Sequence, residues 1–387
     1  MDWDSAFRDE LERIEAAGLR RVLREHPRAG GRLNDGEREL LNFSSNDYLN
    51  LASDPRLAEA AAQAVHAYGT GASASRLMAG HLPPHAQLES ALATLARMES
   101  AVVFPTGFQA NLGVLCTVAG AGDAIFSDRL NHASIIDGAR LSRAAIHIYD
   151  HRDMTHLEQL LRDAPVKGRR IIVSDALFSM DGDLAPVHAL HQLAKTYEAL
   201  LVIDEAHAMG VFGEGAGLCQ GAGLRPDVLV GTLSKALGSM GGFLAGSRAL
   251  CDLLITRARS FIYTTGLSPA CAGAAIAAIE IVRESPESGA ELLRRSRFFH
   301  HELSQRGVPV MPSQSQVIPI HVGENEAAVQ LADALREAGL IITGIRPPTV
   351  PPGTARLRLS VTLAHEEQHL CHAATLLANA FATAGRA

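Results

Sequence analysis

Cysteine is scarce and scattered in this 387-residue chain: Cys116, Cys219, Cys251, Cys271 and Cys371 form neither a CxxC pair nor a zinc-ligand spacing. No metal is expected, and an intracellular, reducing compartment, the cytoplasm, fits that usage. A basic excess is also missing. With 35 Lys plus Arg against 42 Asp plus Glu, the formal net charge is −7, so a nucleic-acid partner is not expected. The first 24 residues alternate acids and bases with no apolar h-region, which argues against a secretory signal. The longest apolar stretch, 270–282, falls short of the roughly 18 residues of a spanning helix and is expected to be a buried helix rather than a membrane element. There is no internal repeat and no low-complexity tract.

What is present suits a large folded core. Apolar residues make up 47% and charged residues 20%, near a globular average, and this length suggests two or more domains of roughly 100–200 residues. Residues 4–25 read as an amphipathic helix, with Leu11, Ile14, Val22 and Leu23 on its stripe, Asp4 or Ser5 as cap and Pro27 as stop. Gly30-Gly31 and Asn34-Asp35-Gly36 mark turns.

From about residue 55 to 285 a unit repeats: a short apolar run, a loop of small or polar residues, then a helical stretch. The runs are 101–104, 124–126, 146–149, 171–173, 200–203, 228–230 and 242–245. Continuous apolarity is what strands covered on both faces show, so a doubly wound, mostly parallel α/β sheet is expected. The tail changes character, with a Ser/Gln-rich segment at 313–316 and a period-two run in which Leu357, Leu359 and Val361 face one way and Arg356, Arg358 and Ser360 the other. The expected organisation is an N-terminal helix and arm (1–54), a large α/β domain (55–285) and a smaller α+β domain (286–387).

Ligands of such sheets sit beyond the carboxyl ends of the strands. The residues found there are Pro105-Thr106-Gly107-Phe108, Ser127-Asp128 with Asn131-His132, Ser174-Asp175 with Ser179, Asp204-Glu205-Ala206-His207, and Gly231-Thr232-Leu233-Ser234-Lys235. Together they are the parts of a pyridoxal phosphate site, which needs an amine, an acid for the ring nitrogen, a phosphate cradle and a ring clamp. Lys235 follows a buried run and can lose its proton there to form a Schiff base. Asp204 can keep a pyridine nitrogen protonated, and His207 can reach the phenolic oxygen. Gly107 and Phe108 open a helix whose amides can bind phosphate, with Thr232, Ser234 and Thr265 as hydroxyl donors. His132 can stack on the ring and serve as an acid, and Arg358 can hold a carboxylate in two-point fashion.

Each cue has an ordinary structural explanation when it stands alone. Asp204 and His207 also fit a helix cap beside a surface histidine, Lys235 a solvated lysine, Arg358 a solvent-facing strand. Asp204-Glu205-Ala206-His207 is also similar to the acidic box of helicases, but the chain has no GxxxxGK loop to hold nucleotide phosphates.

Taken together, the motifs resemble those of the α-oxoamine synthases, a fold-type I pyridoxal phosphate family. The resemblance runs from Leu41-Asn42-Phe43-Ser44-Ser45-Asn46-Asp47-Tyr48-Leu49 through Ser75-Arg76-Leu77 and Phe178-Ser179-Met180-Asp181-Gly182-Asp183 to Asp204-Glu205-Ala206-His207 and Gly231-Thr232-Leu233-Ser234-Lys235. The segment Ile345-Arg346-Pro347-Pro348-Thr349-Val350-Pro351, with Gly353-Thr354-Ala355-Arg356-Leu357-Arg358-Leu359 after it, looks most like the oxononanoate branch.

The resemblance implies a decarboxylative condensation of L-alanine with a pimeloyl thioester, carried on coenzyme A or an acyl carrier protein. The alternative is a branch using glycine, of the aminolevulinate or ketobutyrate type. It further implies Lys235 as the cofactor-bonding lysine, Asp204 on the ring nitrogen, and His207 and Ser179 on the phenolic oxygen. His132 would lie over the ring, with Gly107, Phe108, Thr232 and Ser234 on the phosphate and Thr265 reaching it from a second subunit of a homodimer. Asn46 and Arg358 would hold the amino-acid carboxylate, and Arg20 the far carboxylate of the acyl chain. Two departures stand out: Asn50 replaces the glycine usual after Asp-Tyr-Leu, and Ala72-Ser73-Ala74-Ser75 replaces a glycine-richer run.

Overall fold

The computed structural model describes residues 2–26, 30–34 and 39–384. In chain order it begins with helix α1 (Trp3–Ala16), strands β1 (Arg32–Asn34) and β2 (Glu39–Asn42), and helices α2 (Pro55–Tyr68) and α3 (Pro83–Leu95). Strand and helix then alternate: β3 (Ser100–Phe104), α4 (Gly107–Val118), β4 (Ala124–Asp128), α5 (Ala133–Ser142), β5 (Ala145–Tyr149), α6 (Met154–Asp163), β6 (Arg170–Asp175), α7 (Val187–Thr196) and β7 (Leu200–Asp204). Next come a short α8 (Leu218–Gly221), β8 (Val228–Thr232), β9 (Gly242–Gly246), α9 (Arg248–Arg257), α10 (Arg259–Ile262), α11 (Pro269–Glu284) and α12 (Ser288–Gln305). The tail holds β10 (Val317–Gly323), α13 (Asn325–Glu337), β11 (Leu340–Ile341), β12 (Thr343–Ile345), β13 (Ala355–Ser360) and α14 (Glu367–Ala384).

The chain divides into two compact units, one of residues 46–179 and 183–293, the other of residues 1–45, 180–182 and 294–387. In the larger unit all seven apolar runs are strands of one sheet, in the order β3-β9-β8-β7-β6-β4-β5. Strands β5, β4, β6, β7 and β8 run parallel, and β9 is antiparallel to both β8 and β3. This is the fold-type I, doubly wound, mostly parallel α/β architecture. Val102, Ile125, Ile171, Val202, Val228 and Leu244 face a core closed by Val114 and Val118 of α4, Ile135 of α5 and Leu254 of α9. Burial of both faces explains why the runs lack alternation. The expected buried helix at 270–282 lies within α11, which buries Ala272, Ala275, Ala278, Ile279 and Val282.

Two expectations are corrected. The first helix ends at Ala16, not near residue 25, and its cap is Asp2, whose side chain accepts from the amide of Asp4. Gly18 adopts φ +66°, its N–H donates to Glu15 O, and that of Leu19 donates to Ile14 O. This closure terminates a helix through a left-handed glycine, so Val22 and Leu23 lie beyond the helix and are exposed. Pro27, Asp35 and Gly36 lie outside the described residues. The second correction concerns β5: it is an edge strand with Ile146 and Ile148 exposed, so its apolar run does not signal burial.

The smaller unit is α+β, with the three-stranded sheets β1-β2-β11 and β10-β13-β12. Strand β13 is the centre of an antiparallel sheet. Both of its faces are buried, Arg356 and Arg358 included, which corrects the solvent-facing alternative for Arg358. Arg356 forms an ion pair with Asp181, and Arg358 Nη1 donates to Ser360 Oγ at 3.0 Å.

Candidate active site

The sheet of the larger unit carries its polar residues at the carboxyl ends of β4, β6, β7 and β8, where parallel strands deliver them to one edge. Asp204 closes β7 and Thr232 closes β8. Asp204 is buried, and its carboxylate is held from two sides: Oδ1 accepts the amide of Ala206 at 2.8 Å and Oδ2 accepts Nδ2 of Asn111 at 2.7 Å.

Asn111 lies on α4, the helix that Gly107 opens. Thr106 caps that helix, with Oγ1 accepting from Gln109 N and its carbonyl from Ala110 N. The amides of Gly107 and Phe108, at the first two positions, are left for an outside acceptor. Beside them stand the hydroxyls of Thr232 and Ser234, 2.8 Å apart, with Thr232 donating to Gly241 O. A methyl built on Gly107 would sit 3.6 Å from Thr232, while one on Gly242 would sit 2.4 Å from the Gly107 backbone. The glycine of β9 is thus what allows the helix start to approach.

The two helix-start amides suit a phosphate, with the Thr232 and Ser234 hydroxyls able to rotate their protons toward it. The carboxylate of Asp204 is reached through Asn111, one helical turn further along, a rise of about 6 Å, which matches the span of a phosphorylated pyridine. The residues present therefore fit pyridoxal phosphate.

Lys235 lies just beyond β8, and its charge acts on both His132 and Asp175, as does that of Asp204. Burial, reinforced by Lys235 and opposed by Asp204, lowers the His132 imidazole below its ordinary value. Asp175 faces Asp204 across the β6–β7 ladder and accepts the backbone amide of His132 at 2.8 Å. Burial, and then the neighbouring Asp204 charge, holds the Asp175 carboxyl well above the usual range.

His207 is buried and its Nδ1 lies 2.6 Å from the hydroxyl of Tyr48, which also reaches Asn46 Oδ1 at 3.2 Å. Glu205, by contrast, is a structural acid. It is fully buried and accepts the amides of Leu218 and Cys219, each at 2.8 Å, and burial raises its carboxyl.

The structure therefore assembles Gly107, Phe108, Thr232 and Ser234 as one group, and His132, Asp204 and Lys235 as another, with His207 and Asn46 joined by Tyr48. Ser179 lies on the turn after β6, where Leu177 bridges Leu184. Thr265 is exposed and pairs with Ser75 in an isolated bridge. Arg358 and Arg20 belong to the smaller unit, and Arg20 is exposed in an ion pair with Glu15 at 2.6 Å. Asn111, Ser134 and Tyr48 carry site contacts that sequence reasoning does not assign. The available signal for Asn111 is an amide among the mostly apolar residues of α4, where it is buried.

A family model for class I and II aminotransferases matches residues 38–377. An 8-amino-7-oxononanoate synthase of Citrifermentans bemidjiense is 47% identical over 379 residues, spanning 96% of this chain and 97% of that protein. Among solved structures, a serine palmitoyltransferase with pyridoxal phosphate superposes with a TM-score of 0.92 at 28% identity, covering 98% of both chains. An 8-amino-7-oxononanoate synthase from Francisella tularensis superposes with a TM-score of 0.76 at 28% identity, over 91% of this chain and all of that one. This chain belongs to the class I and II aminotransferase family and, within it, to the α-oxoamine synthases of the 8-amino-7-oxononanoate synthase branch.

Proposed function

We propose that the chain is a pyridoxal phosphate enzyme that condenses L-alanine with a pimeloyl thioester. The products are 8-amino-7-oxononanoate, carbon dioxide and the free thiol carrier, the chemistry of a biotin-pathway acyltransferase. The observation that carries this reading is the buried Asp204 carboxylate bonded to Asn111, which lies one turn along α4 from two unclaimed amides, with two hydroxyls beside those amides. When bound, pyridoxal phosphate supplies an electron sink for the carbanion at the amino acid's α-carbon.

The chain's own groups divide the remaining work. Gly107 and Phe108 amides with Thr232 and Ser234 hydroxyls hold the phosphate, and Asp204 keeps the ring nitrogen protonated. His207 and Ser179 serve the phenolic oxygen, and His132 covers the ring. Lys235 would hold the cofactor and, with its amine free, would be the base that takes the α-proton of alanine. Asn46 and Arg358 orient the substrate carboxylate so that the bond to be broken is set by position rather than by chance. Arg20 is assigned to the far carboxylate of the acyl chain.

We also read the chain as a cytoplasmic homodimer with residues 1–54 as an arm, 55–285 as the cofactor-binding part and 286–387 as the small part. The partner's Thr265 is assigned to the phosphate. Exposed Trp3, Phe7 and Leu11 on α1 support a partner copy, and no helix among the described residues is long and apolar enough to cross a membrane.

The test is turnover by the loaded enzyme, monitored as free thiol. L-alanine with pimeloyl-coenzyme A or the pimeloyl carrier protein is compared with glycine plus succinyl- or acetyl-coenzyme A. Thiol release with the alanine pair is expected, and release with glycine alone would overturn the assignment. Lys235→Ala is expected to lose both turnover and covalent retention of the cofactor.

A further inference from the structure

Four side chains of the larger unit form one unbroken hydrogen-bonded chain. Asp204 Oδ2 lies 2.7 Å from Asn111 Nδ2, which lies 2.9 Å from Ser134 Oγ, which in turn lies 2.7 Å from His132 Nδ1. The amide of Ser134 also donates to that Nδ1, at 3.2 Å. Asn111 and Ser134 are both fully enclosed.

The direction of every proton in this chain is set by what each group can do. A carboxylate only accepts, so Asn111 must turn its NH2 toward Asp204. The second N–H of the same nitrogen then falls to Ser134 Oγ. The backbone N–H of Ser134 also donates to His132 Nδ1, which makes that nitrogen an acceptor, so the single Ser134 hydroxyl proton goes to it. Nδ1 of His132 thus faces two donors, the Ser134 hydroxyl and the Ser134 amide, and holds no proton itself. A neutral imidazole with a bare Nδ1 carries its proton on Nε2.

The orientation leaves a signature: Asn111 Oδ1 is buried with no hydrogen-bond partner among the described residues. An amide free to choose would not strand its oxygen, so the carboxylate dictates the choice.

We propose that Asn111 and Ser134 are positioning residues that relay the Asp204 carboxylate to His132 and lock it as the neutral Nε2–H tautomer. The relay rests on the placement of His132 at the cofactor ring. There it gives the histidine a single side-chain donor, Nε2–H, and makes that donor depend on the same carboxylate that serves the ring nitrogen. Protonating Nδ1 would set an N–H against both the hydroxyl and the amide of Ser134. The lowered imidazole value agrees, with Asp204 and Lys235 as the charged groups acting on it and Asp175 as the carboxyl that accepts its backbone amide.

The experiment is nitrogen NMR of the loaded enzyme carrying 15N-histidine, with the His132 signals assigned by their loss in His132→Gln. Wild type is expected to show a neutral ring protonated at Nε2 at about pH 8, well above the ordinary histidine value near 6.5. Ser134→Ala removes one of the two donors and is expected to raise the Nδ1–H population about tenfold, the equivalent of one ordinary hydrogen bond. Ser134→Thr keeps the hydroxyl and is expected to restore the wild-type ratio, which a merely space-filling role for Ser134 would not require. An Nδ1–H ring in wild type, or no change of tautomer or titration midpoint in Ser134→Ala, would overturn the relay. If the variants fail to fold, the wild-type tautomer alone still decides. A His132 signal that is indifferent to added L-alanine would instead overturn its placement at the reacting centre, a separate failure visible in the same spectra.

Discussion

The hydroxyl of Tyr48 lies 2.6 Å from Nδ1 of His207 and 3.2 Å from Oδ1 of Asn46, so a single phenol, wholly buried, ties a residue assigned to the cofactor to one assigned to the substrate. Replacing it by phenylalanine keeps the ring and removes only the oxygen. The buried His207 nitrogen then loses that partner, at a cost of about 1–3 kcal/mol. Tyr48→Phe is expected to lower stability by that order in denaturant unfolding. It is also expected to raise KM for alanine, through Asn46, more than KM for the acyl thioester. Equal changes in both constants would argue that Tyr48 serves the fold alone.

His151 sits between two carboxylates. One ring nitrogen is 2.9 Å from Asp128 Oδ1 and the other 2.8 Å from Asp183 Oδ2, with Phe178 edge-on at 4.4 Å. Burial opposes its charge, but the hydrogen bonds and charges of Asp128 and Asp183 outweigh it and lift the imidazolium to about 9. The folded value stands above the unfolded one near 6.5. The clamp's contribution is therefore complete below about 6.5 and fades as pH rises through 9. His151→Gln is expected to unfold at lower temperature than wild type at pH 6, by the equivalent of about 2 kcal/mol. The two melting curves should converge by about pH 10. A gap that stays constant from pH 6 to 10 would show that charge plays no part. Phe178 immediately precedes Ser179, so the same variant is expected to disturb the cofactor's absorbance.

Most of the sheet and of the site's first ring of residues was legible because one rule governs both. Parallel strands are buried on two faces and read as apolar runs, and the residues just past each run are delivered to one edge. That rule pointed to Gly107, His132, Asp204, Thr232 and Lys235 as candidates, and the structure brings them to that edge in two groups. It misjudged β5, since an edge strand can carry the same apolar letters with Ile146 and Ile148 exposed. It was blind to Asn111 and Ser134, which lie inside helices where polar residues usually signal a solvated face, and whose importance comes from partners across the sheet edge. The early end of α1 turned on the φ of Gly18, a choice that a helical stripe continuing through Val22 and Leu23 concealed.

Gly242 offers a steric test of the phosphate cradle. A methyl added there would fall 2.4 Å from both the Cα and the N of Gly107, backbone atoms that cannot rotate away. Gly242→Ala is expected to cost about 1–3 kcal/mol of stability as overpacking. It is also expected to weaken cofactor binding at least about tenfold, because the shift is passed to an amide proposed to hold the phosphate. Gly71→Ala, where the added methyl meets nothing within 4 Å, serves as the control and should leave both quantities unchanged. Spectrophotometric titration with pyridoxal phosphate reads the affinity. Unaltered affinity in Gly242→Ala would detach Gly107 from the cradle.

Asn50 accounts for one of the chain's departures from the glycine-rich pattern it otherwise resembles. Its φ is +59°, in the left-handed region, and its amide closes a turn onto Asp47 O at 3.0 Å. Asparagine enters that region more readily than other side chains, while a β-branched residue is badly strained there. Asn50→Gly should therefore leave stability nearly unchanged, and Asn50→Val should lose about 1–2 kcal/mol. The turn also carries Asn46, Asp47 and Tyr48, and Asp47 accepts the amides of Leu51 at 2.8 Å and Ala52 at 3.0 Å. Strain at Asn50 is thus transmitted to the residues that hold His207. Chemical denaturation of the two variants, paired with KM for alanine, separates the alternatives. If valine proves as stable as glycine at this position, the backbone there does not require a left-handed residue, and the departure has some other cause than the one argued from φ.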